Sequence, residues 1–427
     1  MTDPGSALDA RMATLWRVES PRMTARLARL VGDLDTAEEL AQDTFLAAVE
    51  KWRRDGEPDN PAAWLHTTAR HLAVDRIRRR DTGRAKYRLA AAGQRHALEH
   101  DLGEIVDGDL AEDLLGLIFM ACHPILAPDA RSALVLKLVC GLQTEDVARA
   151  FLAPPATIAQ RVVRAKRTLA AAKVRFELPP HGERPARLDA VREVVYLVFN
   201  EGYTATSGDR WFREDLCAEA LRLGRMLAAL TPSDTETLGL LALIELQASR
   251  LRARTGPDGE PVLLADQDRS RWDRLLIGRG LALLDRIDAL GGTTGRYALQ
   301  AAIAACHARA TTAAVTDWER IAALYDGLAR ISPSPVVELN RGVAAAQAFG
   351  PAAGLEIVLP LFDVPGMDRY HLLPAVAGDL LCRAGDHEQA RERFLQAAAM
   401  TGNAAERATM QRRASACAAG SCAVARH

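Results

Sequence analysis

One predicted helix carries arginines at its end and a mixed polar stripe along its side. The segment 61–80, PAAWLHTTARHLAVDRIRRR, places Leu65 and Ala69 on an apolar face at helical spacing. The polar stripe combines aromatic, hydroxyl, imidazole and guanidinium groups. Together these groups can stack on an unpaired base and hold the neighbouring phosphates. Core packing of the aromatic ring and a solvated helix end are the alternatives. The candidate residues are Trp64, Thr68, His71, Asp75, Arg76, Arg78, Arg79 and Arg80.

An acidic helix is predicted just upstream. Asp35 and Glu38 have the spacing of a capping box, and Phe45 and Trp52 then recur on an apolar face. The opposite face suits docking on a basic helical partner, and a merely solvated surface is the alternative. This acidic face comprises Glu38, Glu39, Gln42, Asp43 and Glu50.

A helix-turn-helix pattern follows at 141–170, GLQTEDVARAFLAPPATIAQRVVRAKRTLA. Thr144 opens a short helix, 153–155 form the turn, and Ala156 or Thr157 begins the second helix. Glutamine and arginine on its outer face can make bidentate contacts with bases in a major groove. An ordinary helical hairpin with a basic surface is the alternative. The candidate DNA-binding residues are Thr144, Thr157, Gln160, Arg161, Arg164, Lys166 and Arg167.

Charge is distributed in blocks although the whole chain has a net charge of −1. Residues 66–95 hold nine Arg or Lys against two acids, and 160–175 hold six with no acid. Between them, 101–113 hold six acids and no base. This basic, acidic, basic order favours a protein that touches DNA at two places.

Together these segments resemble regions 2 and 4 of the sigma-70 family of bacterial transcription initiation factors. The pattern WL-x3-AR-x-LA-x-D-x-x-RR at 64–79 is a specific part of the likeness. The two-module layout is similar to the extracytoplasmic-function (ECF) group. The resemblance implies two partners, promoter DNA and core RNA polymerase with its β′ coiled coil and β flap. The acidic face would dock on the polymerase, 64–80 would melt and read the −10 element, and 157–167 would read the −35 element.

Two positions depart from the family pattern. His71 stands where the family commonly has Asn, so the −10 preference is expected to differ or to depend on protonation of His71. Leu152 replaces a small residue, and Pro154 and Pro155 fill the turn, which predicts a stiffer connection.

Composition favours an all-α fold, because hydrophobic residues make up 49% of the chain and aromatics only 5%, without alternating β-branched runs. We predict a region 2 domain at 10–82, a region 4 domain at 111–177 and a helical regulatory domain at 188–415. The linkers are 83–110 and 178–187. The first linker is acidic and is either a nucleic-acid mimic or a solvated tether.

The C-terminal half contains a repeat. Residues 336–360 align with 371–395 at an offset of 35, which predicts a TPR-like segment at 336–403 that binds a protein or peptide. A plain helical packing domain is the alternative. A polar loop is predicted at 199–210 as a ligand pocket, a docking loop or a simple helix connection. Its candidate regulatory residues are Asn200, Glu201, Gly202, Tyr203 and Asp209.

Several function classes lack support in the sequence. There is no GxGxxG, GxxxxGK[ST], HExxH or CxxC motif, so we expect no enzyme activity, no cofactor and no metal site. No apolar run predicts a signal or membrane segment, so we expect a cytoplasmic protein. The alternative function is a helix-turn-helix regulator with a TPR-type scaffold that acts without polymerase.

Overall fold

The computed structural model describes residues 4–85, 110–151, 153–176, 178–180, 182–203, 214–256, 262–292, 294–402 and 404–418. Within these ranges the regular elements are α-helices and short 3-10 helices, and the predicted all-α fold is confirmed. The chain divides into two compact units, Met1–Leu230 and Thr231–His427.

The first unit contains the predicted basic and acidic helices and the helix-turn-helix pair. Its helices are α1 (Pro4–Val31), α2 (Leu34–Asp55), α3 (Pro61–Ala85), α4 (Leu110–Ala121), α5 (Pro128–Leu138), α6 (Thr144–Ala150), α7 (Pro155–Ala171), α8 (Arg184–Tyr203) and α9 (Glu214–Leu230).

Local chemistry explains where these helices begin and end. Asp33 caps α2 by accepting a hydrogen bond from the amide of Thr36 at 2.8 Å. The predicted capping box of Asp35 and Glu38 is therefore wrong, because the helix begins two residues earlier than that box requires. Gly56 ends α2 with a φ of 85°, a conformation that favours glycine.

Prolines begin several helices of the first unit. Pro61 opens α3, Pro128 opens α5 and Pro155 opens α7. The first residue of a helix needs no amide hydrogen, so proline is compatible with this position. Pro155 was predicted to lie in the turn, and the recognition helix α7 instead begins with it.

The helices α8 and α9 belong to the first unit because they pack against α4 and α5. Arg187 of α8 donates to the backbone carbonyl of Phe119 at 2.8 Å, and Arg222 of α9 donates to that of Val139 at 3.1 Å. Arg131 pairs with Glu193 at 3.2 Å. The predicted linker at 178–187 overlaps the start of α8, and the two units divide after Leu230 instead.

The second unit is a succession of helices joined by short turns. They are α10 (Thr235–Ala248), α11 (Arg274–Ala289), α12 (Arg296–Arg309), α13 (Trp318–Ile331), α14 (Pro335–Phe349), α15 (Pro351–Val358), α16 (Leu372–Ala384), α17 (His387–Met400) and α18 (Ala404–Ala418). Each packs mainly on its sequence neighbours, except that α10 packs on both α11 and α12.

The predicted repeat coincides with two helix hairpins, α14–α15 and α16–α17. Gly350 and Gly385 lie at their turns with φ of 98° and 90°. A Cβ at Gly378 would lie 3.0 Å from the ring of Phe394, so the small residue permits close packing of α16 on α17. The hairpins are observed, and their TPR-like character stays a prediction.

Candidate nucleic-acid interface

The acidic face lies on the side of α2 opposite its packed residues. Its side chains Glu39, Gln42, Asp43 and Glu50 are exposed, and Glu38 is half-buried. On the packed side, Phe45 and Trp52 are buried in the core. The amphipathic pattern thus places four of the five predicted docking residues at the surface.

Trp64 is half-buried at the start of α3. Its ring meets that of Trp52 edge-on, with centroids 5.5 Å apart. The ammonium of Lys51 lies 5.7 Å from the Trp64 ring centroid. Trp64 is therefore partly used in packing and partly exposed.

The other candidate residues of the polar stripe on α3 lie mostly at the surface. Thr68 is half-buried, and the exposed members are His71, Asp75, Arg76, Arg78 and Arg79. Arg76 donates to Glu39 at 2.9 Å, which joins the stripe to the acidic face. The side chain of Arg80 lies outside the described residues.

A buried contact fixes α3 on α1. The Nε2 of His66 lies 3.1 Å from an Oε atom of Glu19, and this hydrogen bond lowers the pKa of Glu19 against the opposing effect of burial. Neither residue was predicted from the sequence, because they lie 47 positions apart and neither belongs to a recognisable motif.

The helix-turn-helix pair is formed by α6 and α7. Ile158, Val162, Ala165 and Leu169 of α7 face the core as predicted. Thr157, Gln160, Arg164 and Arg167 are exposed, whereas Thr144 at the start of α6 is half-buried.

Arg161 is half-buried and has neighbours on the adjacent elements. Its guanidinium lies 3.7 Å from Asp129 and 5.9 Å from the ring centroid of Phe151. Both contacts are long, so the side chain is held loosely beside the exposed face of α7.

Lys166 departs from the predicted DNA-binding face. Its Nζ lies 2.7 Å from Oδ1 of Asp35 and also contacts Oε2 of Glu38. Burial acts to lower the pKa of Lys166, but the two carboxylates outweigh it and the net pKa is raised. The ammonium is thus charged and bound to α2 rather than exposed on α7.

A cleft lies next to this contact. It has a volume of about 560 Å³ and is lined by α1, the start of α2 and the end of α7. On its α1 side, Arg29 pairs with the buried carboxylate of Asp113 in α4 at 3.0 Å.

The predicted polar loop begins as helix. Asn200, Glu201, Gly202 and Tyr203 form the last turn of α8, so the prediction of a loop from residue 199 is wrong. The apolar stretch of α8 continues to Phe199, whose ring stacks on Tyr203 at 5.2 Å, and this packing extends the helix. Asp209 lies outside the described residues.

Gly202 is a point of close approach between α8 and α9. A Cβ placed there would lie 2.8 Å from the backbone nitrogen of Cys217 and 2.8 Å from Cβ of Leu216. Gly202 was predicted to lie in a regulatory loop, whereas in the structure it lies in α8 and permits close packing on α9.

The described part of the chain lacks two further kinds of feature, a membrane-spanning helix and a metal-binding cluster. No helix there is long and apolar enough to cross a bilayer. The same residues contain no group of three or more His, Cys, Asp or Glu side chains placed to hold a metal ion.

Three families match consecutive parts of the chain. Residues 15–82 match sigma-70 region 2, and 117–169 match sigma-70 region 4. Residues 187–288 match a family of unknown function, DUF6596. The chain thus contains sigma-70 regions 2 and 4, which belong to a non-enzymatic family.

Several proteins are similar in sequence to this chain. An uncharacterized protein of Rhizobium meliloti (strain 1021) is 42% identical over 390 residues, which are 91% of each chain. The ECF RNA polymerase sigma factor SigC of Mycobacterium tuberculosis is 32% identical over 151 residues, 34% of this chain and 75% of the relative. The probable ECF RNA polymerase sigma factor SigI of Mycobacterium tuberculosis is 22% identical over 173 residues, which are 40% of this chain and 59% of the relative. No solved structure gives a significant match.

Proposed function

Because this chain belongs to the same family as the uncharacterized Rhizobium meliloti protein and contains sigma-70 regions 2 and 4, we propose that it is an ECF-type sigma factor. It binds core RNA polymerase and directs promoter-specific initiation. The observation that carries the proposal is the presence of both regions in sigma-factor order, with α6 and α7 forming the helix-turn-helix pair of the second.

Core polymerase binds the acidic face of α2. The exposed carboxylates of Glu39, Asp43 and Glu50 suit a basic helical surface, for which we propose the β′ coiled coil. Region 4 contacts the β flap. Because its partner is the transcription machinery, we place the protein in the cytoplasm.

The −10 element is melted and read along α3. Trp64 stacks on an unpaired base at the start of the helix, and Arg78 and Arg79 hold phosphates near its end. His71 replaces the common Asn of the family, so its imidazole sets a different base preference or one that depends on pH.

The −35 element is read by the first half of α7. Thr157, Gln160 and Arg164 are exposed there and have the lengths and donors needed for base edges in the major groove. Arg161 and Arg167 add contacts to bases or phosphates. Thr144, at the start of α6, contacts the sugar-phosphate backbone of the DNA.

The C-terminal helices modulate initiation. Support for this role comes from α8 and α9, which pack against α4 and α5 of region 4 and so link the extension to the promoter-reading part. The hairpins α14–α15 and α16–α17 provide a TPR-like surface for a protein or peptide partner.

Run-off transcription tests the proposal. The full chain is added to core polymerase with the region upstream of its own gene as template, and transcripts should start at one position only when the protein is present. A gel shift with the same DNA is run with and without polymerase. Tight duplex binding by the protein alone, together with no initiation, would favour a polymerase-independent regulator.

Asp43→Arg tests the acidic face separately. The substitution reverses charge at an exposed position of α2, so it should weaken core binding about tenfold or more while leaving the helix content by circular dichroism unchanged. Core binding is measured by fluorescence anisotropy of the labelled full chain. Unchanged affinity would show that the acidic face is only solvated.

A further inference from the structure

Three arginines and a histidine come together in the second unit, beside the segment that joins α10 to α11. Arg250 follows the end of α10, Arg269 begins a 3-10 helix, and Arg274 begins α11. His307 lies in the last turn of α12. Arg250 and Arg269 both act electrostatically on His307, and Arg250 and Arg274 both act on Arg269. The four residues therefore form one group, which we call the arginine cluster.

Arg269 is the buried member of the cluster. The residue is only 9% exposed, and its guanidinium lies 4.7 Å from the ring centroid of the buried Trp272. Nη1 donates to the backbone carbonyl of Ala310 at 2.9 Å and also to that of His307. Nε and Nη2 donate to no acceptor among the described residues. Because a guanidinium has five N–H groups, three donors of a fixed side chain remain for a ligand.

The cluster carries an excess of positive charge. No described carboxylate lies within ion-pair distance of Arg269 or Arg274. Burial lowers the pKa of Arg269, and Arg250 and Arg274 lower it further. Burial likewise lowers the pKa of His307 to about 4, and Arg250 and Arg269 add to the effect. His307 is thus neutral at pH 7, and an anion would compensate the remaining buried charge.

The neighbouring carboxylates are engaged with the backbone at helix starts. Asp268 accepts hydrogen bonds from the amide and the hydroxyl of Ser270 at 2.9 and 2.7 Å. Asp273 accepts from the amides of Leu275 and Leu276 at 2.9 and 3.1 Å. Both carboxylates act as helix caps, so they serve the backbone rather than the arginine cluster.

We propose that the arginine cluster binds the phosphate group of a small molecule. Guanidinium groups match phosphate oxygens in pairs, and several of them balance a dianion better than a single carboxylate. The cluster is open to solvent on one side, because Arg274 is exposed and Arg250 is half-buried. The ring of His307 meets that of Trp318 edge-on at 5.2 Å, which orients a neutral N–H donor beside the arginines.

Calorimetric titration of the full chain with inorganic phosphate tests the site. At pH 7 and constant ionic strength, phosphate should bind saturably, and it should raise the temperature of thermal unfolding as its concentration increases. Acetate and chloride should give neither signal, because each ion carries a single charge. Absence of saturable phosphate binding, or equal stabilisation by acetate or chloride, would overturn the proposal.

Variants of α11 locate the bound phosphate. Arg274→Met removes an exposed guanidinium whose contact with the backbone carbonyl of Arg269 is a long 3.5 Å, so the variant should fold and bind phosphate about tenfold more weakly. Arg269→Lys keeps the charge but loses the planar fork, and should also weaken binding. Arg279→Met is the matched control, because it removes an exposed arginine of the same helix, and it should bind phosphate as the wild type does.

A second control separates this site from the basic surface of the first unit. Arg78→Ala together with Arg79→Ala should leave phosphate affinity unchanged. Circular dichroism confirms that each variant is folded. Equal losses in Arg274→Met and Arg279→Met, or a loss only in the variant of α3, would place the phosphate elsewhere and overturn the proposal. The site concerns the second unit alone, so this result leaves the proposed sigma function to be judged by its own transcription assay.

Discussion

Region 4 meets two neighbours in the first unit, and the contacts differ in kind. Towards α8 and α9, Arg187 and Arg222 donate to the backbone carbonyls of Phe119 and Val139, near the C-terminal ends of α4 and α5. Towards α2, Lys166 bonds side-chain carboxylates, one of which, Asp35, is 74% exposed.

The difference separates a permanent interface from an exchangeable one. Carbonyls at a helix end have no partner within the helix, so loss of the arginines leaves buried acceptors unsatisfied. Carboxylates at the surface of α2 can bond to water or to another protein instead. We therefore expect region 4 to stay with α8 and α9 while its contact with α2 opens.

Replacing Arg222 gives the largest expected effect. Arg222→Met leaves the carbonyl of Val139 and the carboxylate of Glu219, which Arg222 contacts at 2.9 Å, without this donor. The free energy of unfolding should fall by about 2–3 kcal/mol.

Lys166→Met is the matched comparison, with a smaller expected loss, because the exposed carboxylate of Asp35 can bond to water instead. Urea unfolding of the full chains measures both. Equal losses would contradict the distinction between the two interfaces.

Close packing of α8 on α9 gives the next effect. Gly202→Ala places a Cβ 2.8 Å from the backbone nitrogen of Cys217, which cannot move as a side chain could. Such overpacking costs about 1–3 kcal/mol. The control is Gly278→Ala at an exposed helix position with no atom within 4 Å, where stability should rise by about 0.5–1 kcal/mol. A Gly202→Ala variant as stable as the wild type would show that α8 and α9 can shift apart.

The exposed arginines of α3 provide a further contrast with Lys166, which is bound to Asp35 and Glu38. Arg78→Ala together with Arg79→Ala should weaken binding to upstream duplex DNA about tenfold and reduce the salt slope by about two contacts. Anisotropy titrations at several salt concentrations provide the measurement. Arg330→Ala together with Arg391→Ala, both exposed in the second unit, should change neither quantity. An unchanged slope in the α3 variant would exclude phosphate contacts there.

The contact between α1 and α3 gives the smallest effect. The pKa of Glu19 lies below its ordinary value of 4.5 because His66 hydrogen-bonds its carboxylate. This stabilisation is present above pH 4.5 and is lost as the pH falls through the lowered pKa. Glu19→Gln should flatten the acid side of the stability profile. Thermal melts from pH 7 to 3 measure this change in stability. If the acid side of the profile were unchanged in the variant, the contribution of the Glu19–His66 hydrogen bond would be contradicted.

Local patterns predicted much of the first unit. Helical spacing identified α2, α3 and α7, and it placed Phe45 and Ile158 inside and Gln160 and Arg164 outside. The prediction for the last helices of the first unit was less complete. The polar composition after Phe199 indicated a loop, but α8 runs on to Tyr203 because that last turn packs on α9 at Gly202.

Long-range partners were beyond any sequence pattern. Lys166 and Asp35 are 131 positions apart, and a lysine at an outward helical position gives no sign of which surface it faces. The same holds for Arg187 and Arg222, whose acceptors are backbone carbonyls that any residue carries. The division of the chain after Leu230 depends on these contacts.

The sequence by itself determined that α2, α3 and α7 are helices, which faces of them are buried, and the likeness to sigma-70 regions 2 and 4, because helical periodicity acts within a few positions. Only the tertiary structure decided that α8 and α9 complete the first unit and that Lys166 turns towards Asp35 and Glu38. Those choices depend on which surfaces meet in space, and side-chain type alone does not encode the partner.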